Sequence, residues 1–221
     1  MLKQYKGMRI LFFEEIYGKY SQLEFTHPTD RLVGMAGIES RLAEIFGHAQ
    51  YGILYDPKDF SYLPRTLLWE RADLEHVLTK IDYPPNKQVP SWSWMAVMGP
   101  ICFMDIPFGG VDWDRDFESP FNGPQNTPQA LFGNARDFVR QNDDRLIFDR
   151  HMDAPLHIHL KCMVLGTKTE SIGHTRTKKH YGILVVAREA DDGSYERVGV
   201  ATFERDSNWL TRDCGVTVRI I

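Results

Sequence analysis

The chain has 221 residues, of which 43% are hydrophobic and 25% are charged, and its net charge is −4. This composition is typical of a folded protein with a sizeable core. The acidic balance argues against a nucleic-acid or anionic-membrane binder, because both need a basic face. No apolar run approaches the ~20 residues that cross a bilayer. Three widely spaced cysteines, without a CxxC pair, indicate reduced thiols and a cytoplasmic protein.

The first third of the chain is predicted to be helical. Residues 10–17 place apolar side chains on one helical face. Residues 30–46 form a second helix, which Gly47 closes. Gly34 and Gly37 lower its helical propensity, so we expect both to mark a close approach to another element. The apolar stripe of this second helix consists of Leu32, Val33, Met35, Ala36, Ile38, Leu42, Ile45 and Phe46.

The character of the sequence changes after a third predicted helix near residues 63–78. Three prolines in residues 81–90 do not allow a helix to continue. Residues 108–129 are rich in Gly, Pro, Asn and Asp, which predicts a long surface loop. Residues 131–141 are expected to form one short helix.

The end of the chain has the alternating apolar pattern of β-strands. Asp192 and Gly193 lie between two β-rich runs, which is a strong cue for a hairpin. The predicted strands cover residues 156–166, 180–189, 195–205 and 215–221. The fold class is therefore α+β, with a helical N-terminal third packed on an antiparallel β-rich C-terminal part. We expect a helical segment, 1–80, and a β-rich part, 81–221, in one integrated domain.

Four blocks of the sequence, in their order, resemble fungal heterokaryon-incompatibility proteins. In that family, similar blocks follow the HET domain, a TIR-like α/β module associated with triggering cell death. The four blocks are KYSQLEFTHPTDRLVGMAGIESRLAEIF, LPRTLLWER, VPSWSWMAVMGPI, and YGILVVARE with GSYERVGVATFE.

This resemblance implies a role in self/non-self recognition in a filamentous fungus. The first block begins about twenty residues after Met1, so we expect the chain to be the region after the HET domain without that domain. The death-triggering activity is then not carried over to any residue of this sequence. The resemblance implies a non-catalytic interaction or regulatory module with a protein partner and no cofactor.

Trp92 and Trp94 allow two interpretations. In an extended segment they would face the same side and form an aromatic wall for a ligand. Alternatively, both are buried against the helical third, where each indole supplies several kcal/mol of packing. We favour the buried interpretation, and expect any ligand at the loops 108–129, which contains Trp113, and 171–180, which contains Lys178 and Lys179.

His157 and His159 support an alternative function. They lie two apart on a predicted strand, a spacing that occurs in metal sites when a third ligand comes from elsewhere. The alternative is thus a metal-dependent or small-molecule-binding β-barrel enzyme that uses this pair. Without metal, two histidines also fit the polar face of an antiparallel sheet. No nucleophile elbow or phosphate-binding loop is present, so we predict no catalytic residue.

Overall fold

A computed structural model of the chain describes residues 2–75, 77–121, 130–150, 159–172, 175–190, 192–205, 210 and 215–221. The chain divides into two compact units, Met1–Phe108 (unit 1) and Gly109–Ile221 (unit 2). Helices are concentrated in unit 1, and unit 2 consists mainly of strands. The fold class is therefore α+β, as predicted from the sequence.

Unit 1 combines three helices with short antiparallel strand pairs. The helices are α1 (Leu2–Ser21), α2 (Arg31–Phe46) and α3 (Tyr62–Leu67). Single 3₁₀ turns cover Pro28–Asp30, Pro85–Lys87 and Trp94–Ala96. The strand pairs are β1 (His48–Gln50) with β2 (Ile53–Tyr55), β3 (Trp69–Arg71) with β6 (Ile101–Phe103), and β4 (Thr79–Lys80) with β5 (Val97–Met98).

Helix α1 supplies one side of the unit 1 core. Its completely buried residues Ile10, Phe13 and Tyr17 recur at spacings of three and four, so they share one helical face. The ring of Phe13 packs edge-on against the rings of Phe46 and Tyr62. Such T-shaped aromatic pairs stabilise a core by about 0.5–1.5 kcal/mol beyond the area they bury.

Helix α2 has the predicted extent, but its buried face differs from the predicted stripe. Val33 and Ile45 are 67% and 46% exposed. The buried face carries the polar residues Arg31 and Glu39 beside its apolar residues. The predicted stripe was too wide because only one face of α2 packs against the rest of unit 1. The helix ends at Gly47, whose φ of 93° suits glycine.

The two glycines of α2 have different surroundings. A side chain at Gly34 would overlap the hydroxyl of Tyr20, so the predicted close approach is confirmed there. No atom lies within 4 Å of the position that a side chain at Gly37 would take, so the same prediction is wrong for Gly37.

The predicted helix at 63–78 is wrong beyond Leu67. There the chain leaves α3 and forms β3, in which Trp69 pairs with Phe103. Residues 61–70 are all buried. A short run that is buried on every side has no apolar periodicity, and so periodicity does not distinguish a helix from a strand there.

The strands of unit 2 that the structure describes form one sheet of seven. They are β7 (Val111–Trp113), β8 (Leu131–Asp137), β9 (Arg145–Phe148), β10 (Lys161–Ile172), β11 (Thr175–Ala187), β12 (Ser194–Arg205) and β13 (Val216–Ile220). Five of them close on themselves in the order β10, β8, β13, β12, β11 and back to β10. Among these described strands, only β12 and β13 pair in parallel; β7 adds to β10, and β9 adds to β12.

The predicted hairpin in unit 2 is confirmed. β11 and β12 pair antiparallel on either side of Gly193, whose φ is 67°. The carboxylate of Asp192 accepts hydrogen bonds from the backbone N–H and the hydroxyl of Ser194, which fixes the turn. The predicted strand that begins at residue 156 is seen from Lys161 onward, and residues 156–158 lie outside the described residues.

The helix predicted at 131–141 is wrong, because residues 131–137 form β8. Leu131, Gly133 and Ala135 are buried and alternate with half-buried neighbours, which is the period of a strand. A side chain at Gly133 would overlap the sulfur of Met163, so this glycine makes room for a core residue. The long loop predicted at 108–129 contains β7, and residues 122–129 lie outside the described residues.

A buried ion pair joins β12 to the residue after β9. Arg197 donates from Nε and Nη2 to the two carboxylate oxygens of Asp149 at 3.0 and 3.2 Å, and both side chains are almost inaccessible to water. In such a bidentate pair each charge depends on the other, since either one alone would be buried without compensation.

We predict that Arg197→Met lowers the free energy of unfolding by about 3–5 kcal/mol, because it leaves the Asp149 carboxylate buried and unpaired. Urea-induced unfolding measures this loss. Asp149→Leu combined with Arg197→Met removes both charges and should recover most of it. A loss below ~1 kcal/mol in the single variant would contradict the assignment of a buried pair.

Candidate functional site

The tryptophan pair of the third sequence block lies in the interior of unit 1. Trp92 and Trp94 are completely buried. The indole N–H of Trp94 donates to the carbonyl of Gly52 at 3.0 Å, and the indole N–H of Trp69 donates to the carbonyl of Trp92 at 2.9 Å. The buried interpretation therefore describes this pair, and neither indole offers a face to a ligand from solvent.

The Trp94 indole closes over the turn that joins β1 to β2. Tyr51 and Gly52 have φ values of 54° and 70°, the left-handed backbone of a tight two-residue hairpin turn. A side chain at Gly52 would overlap the indole of Trp94. The hydroxyl of Ser93 donates to the carbonyl of Tyr51. We call Glu39, Tyr51, Gly52, Ser93 and Trp94 the tryptophan clamp.

Glu39 completes the tryptophan clamp from α2. Its carboxylate oxygen Oε1 accepts the backbone N–H of Gly52 at 2.6 Å. Burial raises the pKa of Glu39, and the hydrogen bond from Gly52 offsets part of that rise. Tyr17 lies nearby: its burial, together with the charge of Glu39, raises the pKa of Tyr17 well above its ordinary value. Within the described residues, the Tyr17 hydroxyl has no hydrogen-bond partner.

Arg31 lies over the ring of the Trp94 indole. Its guanidinium carbon lies 5.0 Å from the centre of the Trp94 ring, within the range of a cation–π interaction. The same guanidinium donates to the carbonyls of Val97 at 2.9 Å and Ser21 at 2.8 Å. Burial lowers the pKa of Arg31. This side chain thus connects α1, α2 and residues 92–97 (the tryptophan segment) through buried contacts.

The predicted binding residues of unit 2 lie on strands. Residues 175–180 belong to β11 and pair with β10, so the loop predicted at 171–180 is wrong over these residues. Lys178 and Lys179 are half-buried there and lie opposite Thr169 and Lys168 of β10. Trp113 is half-buried in β7, and a side chain at Gly166 would overlap its ring. All three residues thus lie on or beside β10 and β11.

Of the predicted metal pair, only His159 is among the described residues. His157 lies outside the described residues, and His159 is exposed. In the part of the chain that the structure describes, no three His, Cys, Asp or Glu side chains form a group that could hold a metal ion. The buried His180 contacts the Thr167 hydroxyl at 3.0 Å. Burial, with the positive charge of Lys178 and two arginines, lowers the pKa of His180 to about 4.

Glu14 is the residue that sequence reasoning missed. It follows the core residue Phe13 on α1, and beside Glu15 it resembled an ordinary surface carboxylate. Burial raises the pKa of Glu14 to about 7; Arg65 lowers it and Asp105 raises it further. Helical spacing could have identified it: Glu14 lies seven residues after Gly7 and four before Gly18, so all three share one side of α1.

Comparison with profiles of known protein families, with characterised proteins and with solved structures finds no match for this chain. The resemblance to heterokaryon-incompatibility proteins therefore stays a prediction that rests on the four sequence blocks. In the described part of the chain, no helix combines the length and the apolar character needed to span a bilayer.

We predict that Glu39→Gln stabilises the protein increasingly as pH rises above about 4.5, the ordinary pKa of a glutamate. The folded state raises the pKa of Glu39, so ionisation above that pH costs folding stability, whereas glutamine stays neutral and keeps an oxygen for the Gly52 N–H. Urea unfolding of both proteins between pH 4 and pH 9 measures the difference. Glu39→Ala, which leaves the Gly52 N–H without an acceptor, should instead lose about 1–3 kcal/mol. A difference that shrinks with rising pH would contradict this prediction.

The metal alternative has a direct test. If His157 and His159 bind a metal, elemental analysis of the purified chain should find about one ion per chain, and the doubly substituted His157→Ala/His159→Ala chain should lack it. His180→Asn is a matched control, because His180 is buried beside Thr167. Equal metal content in the three proteins would contradict a site at this pair.

Proposed function

We propose that this chain is a non-catalytic interaction and regulatory module that acts in self/non-self recognition in a filamentous fungus. It corresponds to the region that follows the HET domain in heterokaryon-incompatibility proteins. The single observation that carries the proposal is where the distinctive residues of the resembling blocks lie: they are buried and form contacts inside unit 1 or inside unit 2.

The contacts between blocks in unit 1 support this proposal. Arg31 of the first block donates to the carbonyl of Val97 in the third block. Trp69 of the second block donates to the carbonyl of Trp92 in the third block. These side chains are buried and bind backbone groups of the same chain. Their side-chain identities are thus explained by the architecture of a shared scaffold, and recognition is left to the surface.

Residues of the fourth block also form buried contacts, in this case within unit 2. Arg197 forms the buried ion pair with Asp149. A side chain at Gly199 would overlap the carbonyl of Ile147, so this glycine permits the close approach of β9 to β12. Both residues belong to the YERVG segment and act within the sheet.

The partner in this proposal is a protein. The net charge of −4 disfavours nucleic acid and anionic membranes. Cys162 is a completely buried cysteine outside any disulfide, and burial raises the pKa of its thiol. Buried thiols of this kind suit a reducing cytoplasm, which is where the proposal places the chain.

A genetic experiment tests the proposed function. A fungal strain that lacks the gene is complemented with the wild-type chain or with Trp94→Ala, which removes the indole over Gly52 and should cost about 3–5 kcal/mol of stability. Each strain is paired with a panel of compatible and incompatible tester strains, and the fraction of fused cells that die is scored. We expect the wild type to change this fraction in at least one pairing and Trp94→Ala to behave like the deletion.

Glu44→Gln is the matched control, because Glu44 is an exposed residue of α2 and should leave the outcome as in the wild type. Identical death frequencies with and without the wild-type chain, in every pairing, would overturn the proposal.

A further inference from the structure

An apolar surface lies on the solvent side of α1. Met8, Leu11 and Phe12 are 66%, 54% and 49% exposed, and Phe108 is 49% exposed. Residues three and four apart are neighbours on a helix, so the three α1 side chains are contiguous. The ring of Phe108 lies against Gly7, one turn before Leu11. Contiguous exposed apolar groups of this size are typical of binding surfaces.

Two carboxylates lie at one edge of this surface. Glu14 is one turn after Leu11, and Asp105 acts on it electrostatically from the segment that follows β6. Among the side chains that the structure describes, neither carboxylate has a hydrogen bond or salt bridge, and Glu14 is half-buried. Arg65 lowers the pKa of Glu14 electrostatically, and its guanidinium donates to the backbone carbonyls of Ile106 and Pro107. Burial raises the pKa of Glu14 more than Arg65 lowers it, so a further cation would favour its charged form.

The other charged side chains of α1 that the structure describes are paired or lie elsewhere. Lys6 forms a 2.6 Å salt bridge with Asp59, and Arg9 lies over the ring of Phe46, both on the side of α1 that faces the core. Glu15 is bound to Lys19 at 2.6 Å. Arg65 lies over the Phe108 ring, with its guanidinium carbon 5.9 Å from the ring centre, so one described cation stands against the two carboxylates. The charge described at the edge of the apolar surface is therefore negative on balance, and its complement is positive.

We propose that Met8, Leu11, Phe12 and Phe108, with Glu14 and Asp105 (the α1 patch), bind a basic amphipathic helix of a partner protein. Its apolar side chains pack on the apolar part of the patch, and a Lys or Arg of the helix pairs with Glu14 and Asp105. In this mode of binding, the apolar side chains on one face of the partner helix pack against an apolar surface of the protein. The inference rests on the proposed function and names the partner class for it.

A peptide-binding experiment tests the α1 patch. The probe is a fluorescein-labelled synthetic helix of about four turns with leucines on one face and lysines on the other. We expect saturable binding to the wild-type chain. Binding should weaken at least about tenfold, or ~1.4 kcal/mol, in Glu14→Gln/Asp105→Asn, and equally in Leu11→Ser/Phe12→Ser. The same peptide with glutamates in place of the lysines should not bind.

A control of equal charge separates the patch from general attraction to an acidic protein. Glu24→Gln/Glu44→Gln removes two exposed carboxylates of unit 1 outside the patch and should keep affinity within about twofold. Thermal unfolding of each variant checks that the chain remains folded. Equal losses in the control and in the patch variants, or no saturable binding by the wild type, would overturn the proposed patch.

The pH dependence of binding gives a second readout. The pKa of Glu14 is about 7 without a partner, and a bound cation favours its ionised form. Affinity for the lysine probe should therefore rise between pH 6 and pH 8 in the wild type, and that rise should be smaller in Glu14→Gln. An equal rise in both would contradict the role of Glu14. A chain that acts in the fungal pairings but ignores the probe would leave the proposed function standing and exclude this partner class.

Discussion

Unit 1 depends on the hydrogen bonds that meet at Gly52. The carboxylate of Glu39 accepts its N–H, and the indole of Trp94 donates to its carbonyl. A tight turn with left-handed backbone leaves its peptide groups directed away from the two strands, so they need partners from elsewhere. Helix α2 and the tryptophan segment supply those partners, and Arg31 lies over the ring of the same indole. One turn therefore sets the positions of three distant parts of the sequence.

This arrangement explains why the most distinctive residues of the chain carry no exposed chemistry. Arginine and tryptophan are common at binding sites, but here Arg31 and Trp94 satisfy backbone groups that the fold would otherwise leave unpaired. Substituting either would leave a buried donor or acceptor without a partner, so the architecture constrains both side chains. Surface side chains such as Leu11 and Phe12 are under no such constraint, and their exposure needs a different explanation.

Sequence reasoning succeeded where one physical signal dominated. The hairpin at Asp192 and Gly193 has a specific turn chemistry, and α2 has both a clear periodicity and a closing glycine. It failed at β8, where short alternating residues resembled a helix, because the pairing with β10 and β13 that decides the matter is not local. The tryptophan clamp could not be predicted from the sequence either. Glu39 looked like a polar residue on the solvent side of α2, and its partner lies thirteen residues away across a turn.

Two buried or half-buried glutamates of unit 1 have different roles: one stabilises the fold, and the other is proposed to bind a partner. Burial raises the pKa of both Glu39 and Glu14. Glu39 receives the Gly52 N–H, so the cost of its burial is offset inside the unit. Glu14 has no such donor within the described residues and lies beside Asp105, which adds to the cost of its charge. A protein gains nothing for its own stability from a charge held in this way. Arg65 recovers part of that cost inside unit 1, and a cation from outside would recover more, which makes Glu14 the residue through which a basic partner would be selected.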